Sequence, residues 1–117
     1  MEQLPQFTAW VHYADAGEAS WHKRLLALIQ GELRIAKSDK AGTKPLFAFP
    51  LSSIVTKKLA PNFERRHSAI VFTLMRNFII SFTSQPEFDS ALAVISRYQE
   101  SASGAAAFAA DFFWHAR

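Results

Sequence analysis

The residues in this chain best suited to chemistry are its cations. Between Trp10 and Arg66 lie ten Lys/Arg against five Asp/Glu, a local excess of five positive charges. The rest of the chain carries three Lys/Arg and five Asp/Glu. Such a basic segment attracts phosphates on lipids or nucleic acid, or an acidic protein surface. For any single lysine a plain solvated surface is the competing reading. Covalent chemistry has little to work with. There is no cysteine, so disulfides, thiolate nucleophiles and thiolate metal sites are excluded. The chain shows no glycine-rich phosphate loop and no nucleophile elbow around its serines. His12 and His22 fall on neighbouring expected strands and could face each other, yet no spacing supplies the further ligands zinc would want. No catalytic residue, metal or cofactor is therefore expected.

The elements that must position these cations follow from composition and period. With 117 residues, half of them hydrophobic and 14% aromatic, the chain suits one domain with a real core. No basic start followed by an apolar run marks a signal peptide, and no stretch approaches the ~20 apolar residues of a membrane span. The absence of cysteine fits a reducing, cytoplasmic setting.

Phe7–Tyr13 reads as a strand and Ala14–Ser20 as a loop. Trp21–Gln30 and Glu32–Lys37 read as a hairpin turning at Gln30-Gly31. Leu25, Leu28 and Ile29 also fit a helical period, but Gly31 in mid-run would cost such a helix ~1 kcal/mol. Ser38–Lys44 is a flexible basic loop. Pro45–Lys58 is extended, and Pro50 within it marks an edge strand or a bulge. Ser68–Met75 and Phe78–Thr83 form a second hairpin joined at Arg76-Asn77. Ser84-Gln85-Pro86-Glu87 has the spacing of a capping box, and Phe88, Leu92, Ile95 and Tyr98, with Ala91, form one helical stripe.

About seven antiparallel strands therefore precede one amphipathic helix, which closes the open end of a curled sheet. Ser101–Gly104 reads as a break. Ala105–Arg117 then forms a second short helix, in which Phe108 and Phe112 share a face with Ala105, beside Phe113 and Trp114. That face is expected to bury itself against the domain or across a dimer. The expected division is a domain over 1–100 and a helical extension over 101–117.

Local sequence in the same order carries a resemblance. Trp21-His22-Lys23-Arg24-Leu25-Leu26-Ala27-Leu28 resembles the second strand of the pleckstrin homology (PH) family. Gly31-Glu32-Leu33-Arg34 with Lys37-Ser38-Asp39-Lys40 resembles its third strand and following loop. Pro50-Leu51-Ser52-Ser53-Ile54 resembles its fourth strand, and Arg76-Asn77-Phe78-Ile79-Ile80-Ser81-Phe82 the hairpin before its helix. The resemblance covers about residues 7–100 and implies a mainly β, PH-like barrel of two curled antiparallel sheets capped by a helix. The family's helix usually carries a tryptophan that plugs the barrel; here Leu92 or Ile95 would fill that role.

The resemblance also implies a site. Phosphoinositide-binding members carry a lysine late in the first strand and a basic-x-arginine in the second. Arg24 matches the arginine, His22 stands where a lysine or arginine is usual, and Tyr13 stands near the first-strand lysine. Ala36 stands where a third-strand tyrosine often contacts phosphate. Asp15 and Glu18 would oppose an anionic headgroup, while Lys23, Lys37, Lys40 and Lys44 would converge with Arg24 at the barrel mouth. The implied role is a non-catalytic targeting module for anionic membrane lipids, at the periphery of membranes. The alternative is a protein-interaction module on the same scaffold. An oligonucleotide-binding barrel is the lesser third reading, disfavoured by the terminal helix.

Overall fold

A computed structural model describes residues 6–18, 20–40 and 42–115, with side chains as far as residue 100. The elements are β1 (Phe7–Asp15), β2 (His22–Ile29), β3 (Glu32–Ala36), β4 (Phe47–Pro50), a 3-10 turn (Leu51–Ser53), β5 (Val55–Lys58), β6 (Ser68–Phe72), β7 (Asn77–Ser81) and α1 (Gln85–His115). All pairings are antiparallel, in the order β4-β3-β2-β1-β7-β6-β5. The strands make one continuous open sheet, in which the two curled halves expected are joined through a shared strand. Its hinge is β1, which pairs with β2 from Phe7 to Tyr13 and with β7 through His12–Asp15. A long strand shared in this way lets the sheet bend across itself without breaking the ladder.

Strand alternation builds the core. Ala9, Val11 and Tyr13 of β1, Leu26 and Leu28 of β2, Leu33 and Ile35 of β3, Ala69 and Val71 of β6, and Phe78 and Ile80 of β7 all point inward and are buried. From α1, Phe88, Ala91 and Ile95 complete it, so Ile95 is the plug and Leu92 only packs beside it. Gln99 fixes the helix by donating its amide to the carbonyls of Leu51 (3.0 Å) and Ile54 (2.8 Å).

The β2–β3 turn forms where expected. Gln30 and Gly31 both have positive φ, 53° and 75°, as a two-residue hairpin turn of the primed kind requires. Gly31 is doubly constrained, because a Cβ there would lie 2.8 Å from the Tyr98 hydroxyl of α1. The turn is thus also where the helix rests. Pro50 ends β4, an edge strand, where its missing N–H leaves no ladder bond unmade.

Two expectations fail locally. The β6–β7 turn lies at Thr73–Arg76, before the expected Arg76-Asn77. Thr73 settles it: its N–H bonds the Arg76 carbonyl (3.1 Å), and its hydroxyl accepts the Arg76 N–H (2.9 Å). The second failure is the break at Ser101–Gly104, which does not form; α1 runs through it to His115. Alanine is the best helix former, and the run after Gly104 offsets the ~1 kcal/mol that one glycine costs. The expected burial of Phe108 and Phe112 lies outside the described side chains. The start of α1 is as expected: the Ser84 hydroxyl accepts the Glu87 N–H (3.3 Å), and Pro86 occupies the first turn.

The connections sort to two ends. The β1–β2, β3–β4 and β6–β7 connections share one end, the mouth, where the Ala16 N–H bonds the Asn77 carbonyl (3.0 Å). The β2–β3 turn and the 3-10 turn lie at the other, against α1.

Candidate functional site

The mouth is assembled from the inside outward by an aromatic column. Phe78 stacks on Phe49 (ring centroids 5.7 Å apart) and packs at a tilt against Tyr13 (5.1 Å), and Tyr13 stacks on Phe47 (6.0 Å). The Arg76 guanidinium lies over Phe47, 3.7 Å from the ring centre. The column therefore ends in a cation held across the mouth, from the start of β7 to the start of β4. Asp15 completes the plug. It accepts the Tyr13 hydroxyl at 2.6 Å and the Arg76 guanidinium at 3.4 Å.

This overturns the surface role expected of Tyr13. Its side chain is 4% exposed and belongs to the core, leaving no face for a headgroup. Burial first, and then its bond to Asp15, push its phenol up to about 12 from the ordinary 10. Folding thus favours the neutral phenol. That stabilisation is complete below pH 10, the unfolded value, and is lost as pH rises towards 12. Alkaline titration of the folded protein should show a tyrosinate absorbance step delayed to near pH 12, accompanied by falling stability. A step completed by pH 10.5 in folded protein would contradict the buried bond. Asp15 is also recast: its charge is answered by Arg76, so it opposes an incoming anion less than the sequence suggested.

The second strand divides the expected basic set between two faces. His22 and Arg24 share the inward alternation of Leu26 and Leu28, but lie beyond the core at the mouth, where His22 is exposed and Arg24 half-buried. Arg24 stands opposite Val11 and donates to the Lys23 carbonyl (3.0 Å). The β2–β3 ladder ends at the pair Leu25–Ala36, so Arg24 and Lys37 each stand one residue beyond it, at the mouth end. Lys37, Lys40 and Lys44 are exposed in the β3–β4 connection at the same end, where the Thr43 N–H bonds the Lys40 carbonyl (3.1 Å). Ala36 alternates to the outer face beside Leu25, so a tyrosine there would not have reached the mouth.

Lys23 also leaves the set. It alternates outward, opposite His12, with its amino group 5.4 Å from the centre of the Trp10 ring. His22 pairs with Tyr13, so the two histidines lie on opposite faces. The structure shows no group of three His, Cys, Asp or Glu able to hold a metal among the described residues. On the outer face Arg65 lies over Trp21 (4.9 Å), and Trp21 packs edge-on to Phe63. His12 sits nearby, its ring held below the usual histidine range by burial, then by Arg65 and Lys23.

What the sequence missed is apolar. The exposed large hydrophobic residues among those described are Leu46, Val55, Phe72, Leu74 and Met75. Val55 opens β5 directly after the 3-10 turn. The other four belong to the mouth: Leu46 precedes β4, Phe72 closes β6 opposite Asn77, and Leu74 and Met75 form the tip of the β6–β7 turn. Their run within Ser68–Met75 read simply as strand. Only the turn's true place exposes them.

No protein-family model matches the sequence, and no curated protein matches it significantly. Solved structures do match the fold. The C-terminal PH domain of human FYVE, RhoGEF and PH domain containing protein 3 aligns with a TM-score of 0.65 at 16% identity, covering 80% of this chain and 86% of that one. The PH domain of human pleckstrin homology domain-containing protein family A member 5 gives 0.66 at 18% identity, covering 79% and 74%. The Slm1 PH domain in complex with phosphoserine gives 0.66 at 14%, covering 84% and 96%. The chain has the PH-domain fold.

Proposed function

We propose that this domain is a targeting module that docks its mouth on an anionic membrane surface. One observation carries the reading: the mouth collects four of the five exposed large hydrophobic residues among those described, Leu46, Phe72, Leu74 and Met75, together with Arg24, Lys37, Lys40 and Lys44. Apolar tips among cations suit an interface that is both anionic and oily. A patch that was only charged would suit a protein or nucleic acid equally well. Arg24 and Lys37, adjacent on the rim, would grip headgroup phosphate, Arg24 with its planar fork. Among the described residues no helix is long and apolar enough to cross a membrane, so attachment through this end would be peripheral. The complex of the Slm1 PH domain with phosphoserine shows that a like fold accepts a phosphate-bearing ligand.

The test is sedimentation with vesicles of phosphatidylcholine alone, with added phosphatidylserine, and with added phosphoinositide. Each cation near an anionic leaflet contributes ~1 kcal/mol, so Arg24→Ala should weaken binding to the anionic vesicles about fivefold. Arg97→Ala, on α1 away from the mouth, should leave it unchanged. Equal effects of the two variants, or no anionic preference, would overturn the reading. A partner protein recovered equally well from wild type and Arg24→Ala, and indifferent to lipid, would favour the protein-interaction alternative.

A further inference from the structure

A second basic cluster lies away from the mouth, where the β5–β6 connection meets α1. It borders a cavity of about 590 Å³ lined by Lys58 and Leu59–Pro61 on one side, Arg66–Ser68 on the next, and Gln85 and Phe88 of α1. That volume falls within the ~300–1,000 Å³ usual for small-molecule sites. Its chemistry is divided: Leu59, Ala60, Pro61 and the Phe88 ring are apolar, while Lys58, Arg66 and His67 carry basic nitrogens. No carboxylate lines it, and neither Lys58 nor Arg66 is in an ion pair among the described residues.

The segment presenting Arg66 and His67 is held with unusual firmness. Ser68 and Ser81 are the buried polar residues of the described core, and both serve it. The Ser68 hydroxyl donates to the carbonyls of Arg65 (2.8 Å) and Arg66 (3.3 Å), and the Ser81 hydroxyl to that of Arg66 (2.8 Å). The Phe82 N–H donates to the His67 carbonyl (2.9 Å), and the His67 ring bonds Gln85 at 3.0 Å. His67 itself has φ of 55°, a left-handed conformation that a non-glycine residue holds only where its surroundings impose it. Buried hydroxyls spent on main-chain carbonyls fix the backbone and leave the Arg66 side chain free to face solvent and the cavity rim.

We infer that this cavity is a second binding site, independent of the mouth, for a small phosphomonoester carrying an apolar body. Lys58, Arg66 and His67 hold the phosphate; Leu59, Ala60 and Pro61 cover the apolar part, with the buried Phe88 ring beneath Lys58 as the floor. A rigid cationic rim beside an apolar floor recognises such an amphiphile better than either half recognises its own fragment.

The full chain, labelled with nitrogen-15, is titrated with phenyl phosphate, inorganic phosphate and benzoate while backbone amides are followed. Phenyl phosphate should give saturable shifts at Lys58–Ala60, Arg66–Ser68 and Gln85–Phe88. Inorganic phosphate should bind at least about tenfold more weakly for want of the buried ring, and benzoate more weakly than phenyl phosphate. Arg66 is exposed and contributes only its carbonyl to the fold, so Arg66→Ala should keep the wild-type spectrum while weakening phenyl phosphate about tenfold or more. Arg24→Ala should leave that binding unchanged, whatever it does to vesicles. Shifts confined to the mouth, failure to saturate, inorganic phosphate or benzoate equal to phenyl phosphate, or indifference to Arg66→Ala would each overturn the site.

Discussion

Phe78→Ala should remove about 3–5 kcal/mol of stability, the cost of truncating a fully buried phenylalanine and leaving its cavity. Phe78 is 0% exposed at the centre of the aromatic column, against Tyr13 and Phe49. Its loss deletes apolar burial and two ring contacts, each worth about 0.5–1.5 kcal/mol beyond area. Small domains have only ~5–15 kcal/mol in all. The variant should therefore unfold at much lower urea, with an unchanged dependence on denaturant, when followed by the fluorescence of the three tryptophans. Phe72→Ala, a third exposed at the mouth, should cost under about 1 kcal/mol. Near-equal losses would show that the column is not the centre of the core. The effect should also reach the site, because Tyr13, Phe47 and Arg76 hang on the same column.

The fold was legible wherever a residue type obeys one local rule. Gln30-Gly31 between two apolar runs demanded a hairpin, and the alternation through Leu26–Leu28 and Leu33–Ile35 set which side faced inward. Ser84 and Glu87 announced the helix, and Pro50 announced an edge. The rule failed where two local signals competed. Arg76-Asn77 looked like a turn by composition, but Thr73 can close one with both its backbone and its hydroxyl, which moved the turn forward. Gly104 looked like a stop, but alanines on its C-terminal side propagate a helix through one glycine. Neither outcome follows from single-residue preference; each depends on which neighbour offers the better hydrogen bonds or propensity.

The site was less legible because it depends on facing. Lys23 and Arg24 are adjacent in sequence and so stand on opposite faces of β2, which a count of cations cannot register. Tyr13 stood at a position where the resemblance implied a ligand, but alternation with Val11 turned it into the core. Arg76 was hidden inside an expected turn, although it crosses the mouth to Phe47 and answers Asp15. The cavity beside α1 was least legible of all. Lys58, Arg66, His67 and Phe88 are separated along the chain, and only the packing of the β5–β6 connection against the helix joins them.

Leu74→Asp with Met75→Asp should reduce binding to phosphatidylserine vesicles by on the order of a hundredfold or more while leaving the fold intact. The two side chains are 96% and 85% exposed at the tip of the β6–β7 turn, so the domain gains nothing from them in water. Full burial of a leucine or methionine is worth about 1.5–3 kcal/mol, and even half of that from each would account for roughly a tenfold to hundredfold gain in affinity. Carboxylates at the tip would forfeit that gain and add repulsion from the anionic surface. Salt separates the two contributions. Raising ionic strength should weaken wild-type binding through the screened cations, Arg24 and Lys37 among them, yet leave a residual attachment that the double variant lacks. Leu74→Ala with Met75→Ala, which adds no charge, should fall between wild type and the double aspartate. Were the double aspartate to bind vesicles as tightly as wild type, with an unchanged melting temperature, the apolar tip would have no part in docking. Because the added carboxylates would also weaken an attachment that was electrostatic alone, that result would overturn docking through this end of the domain.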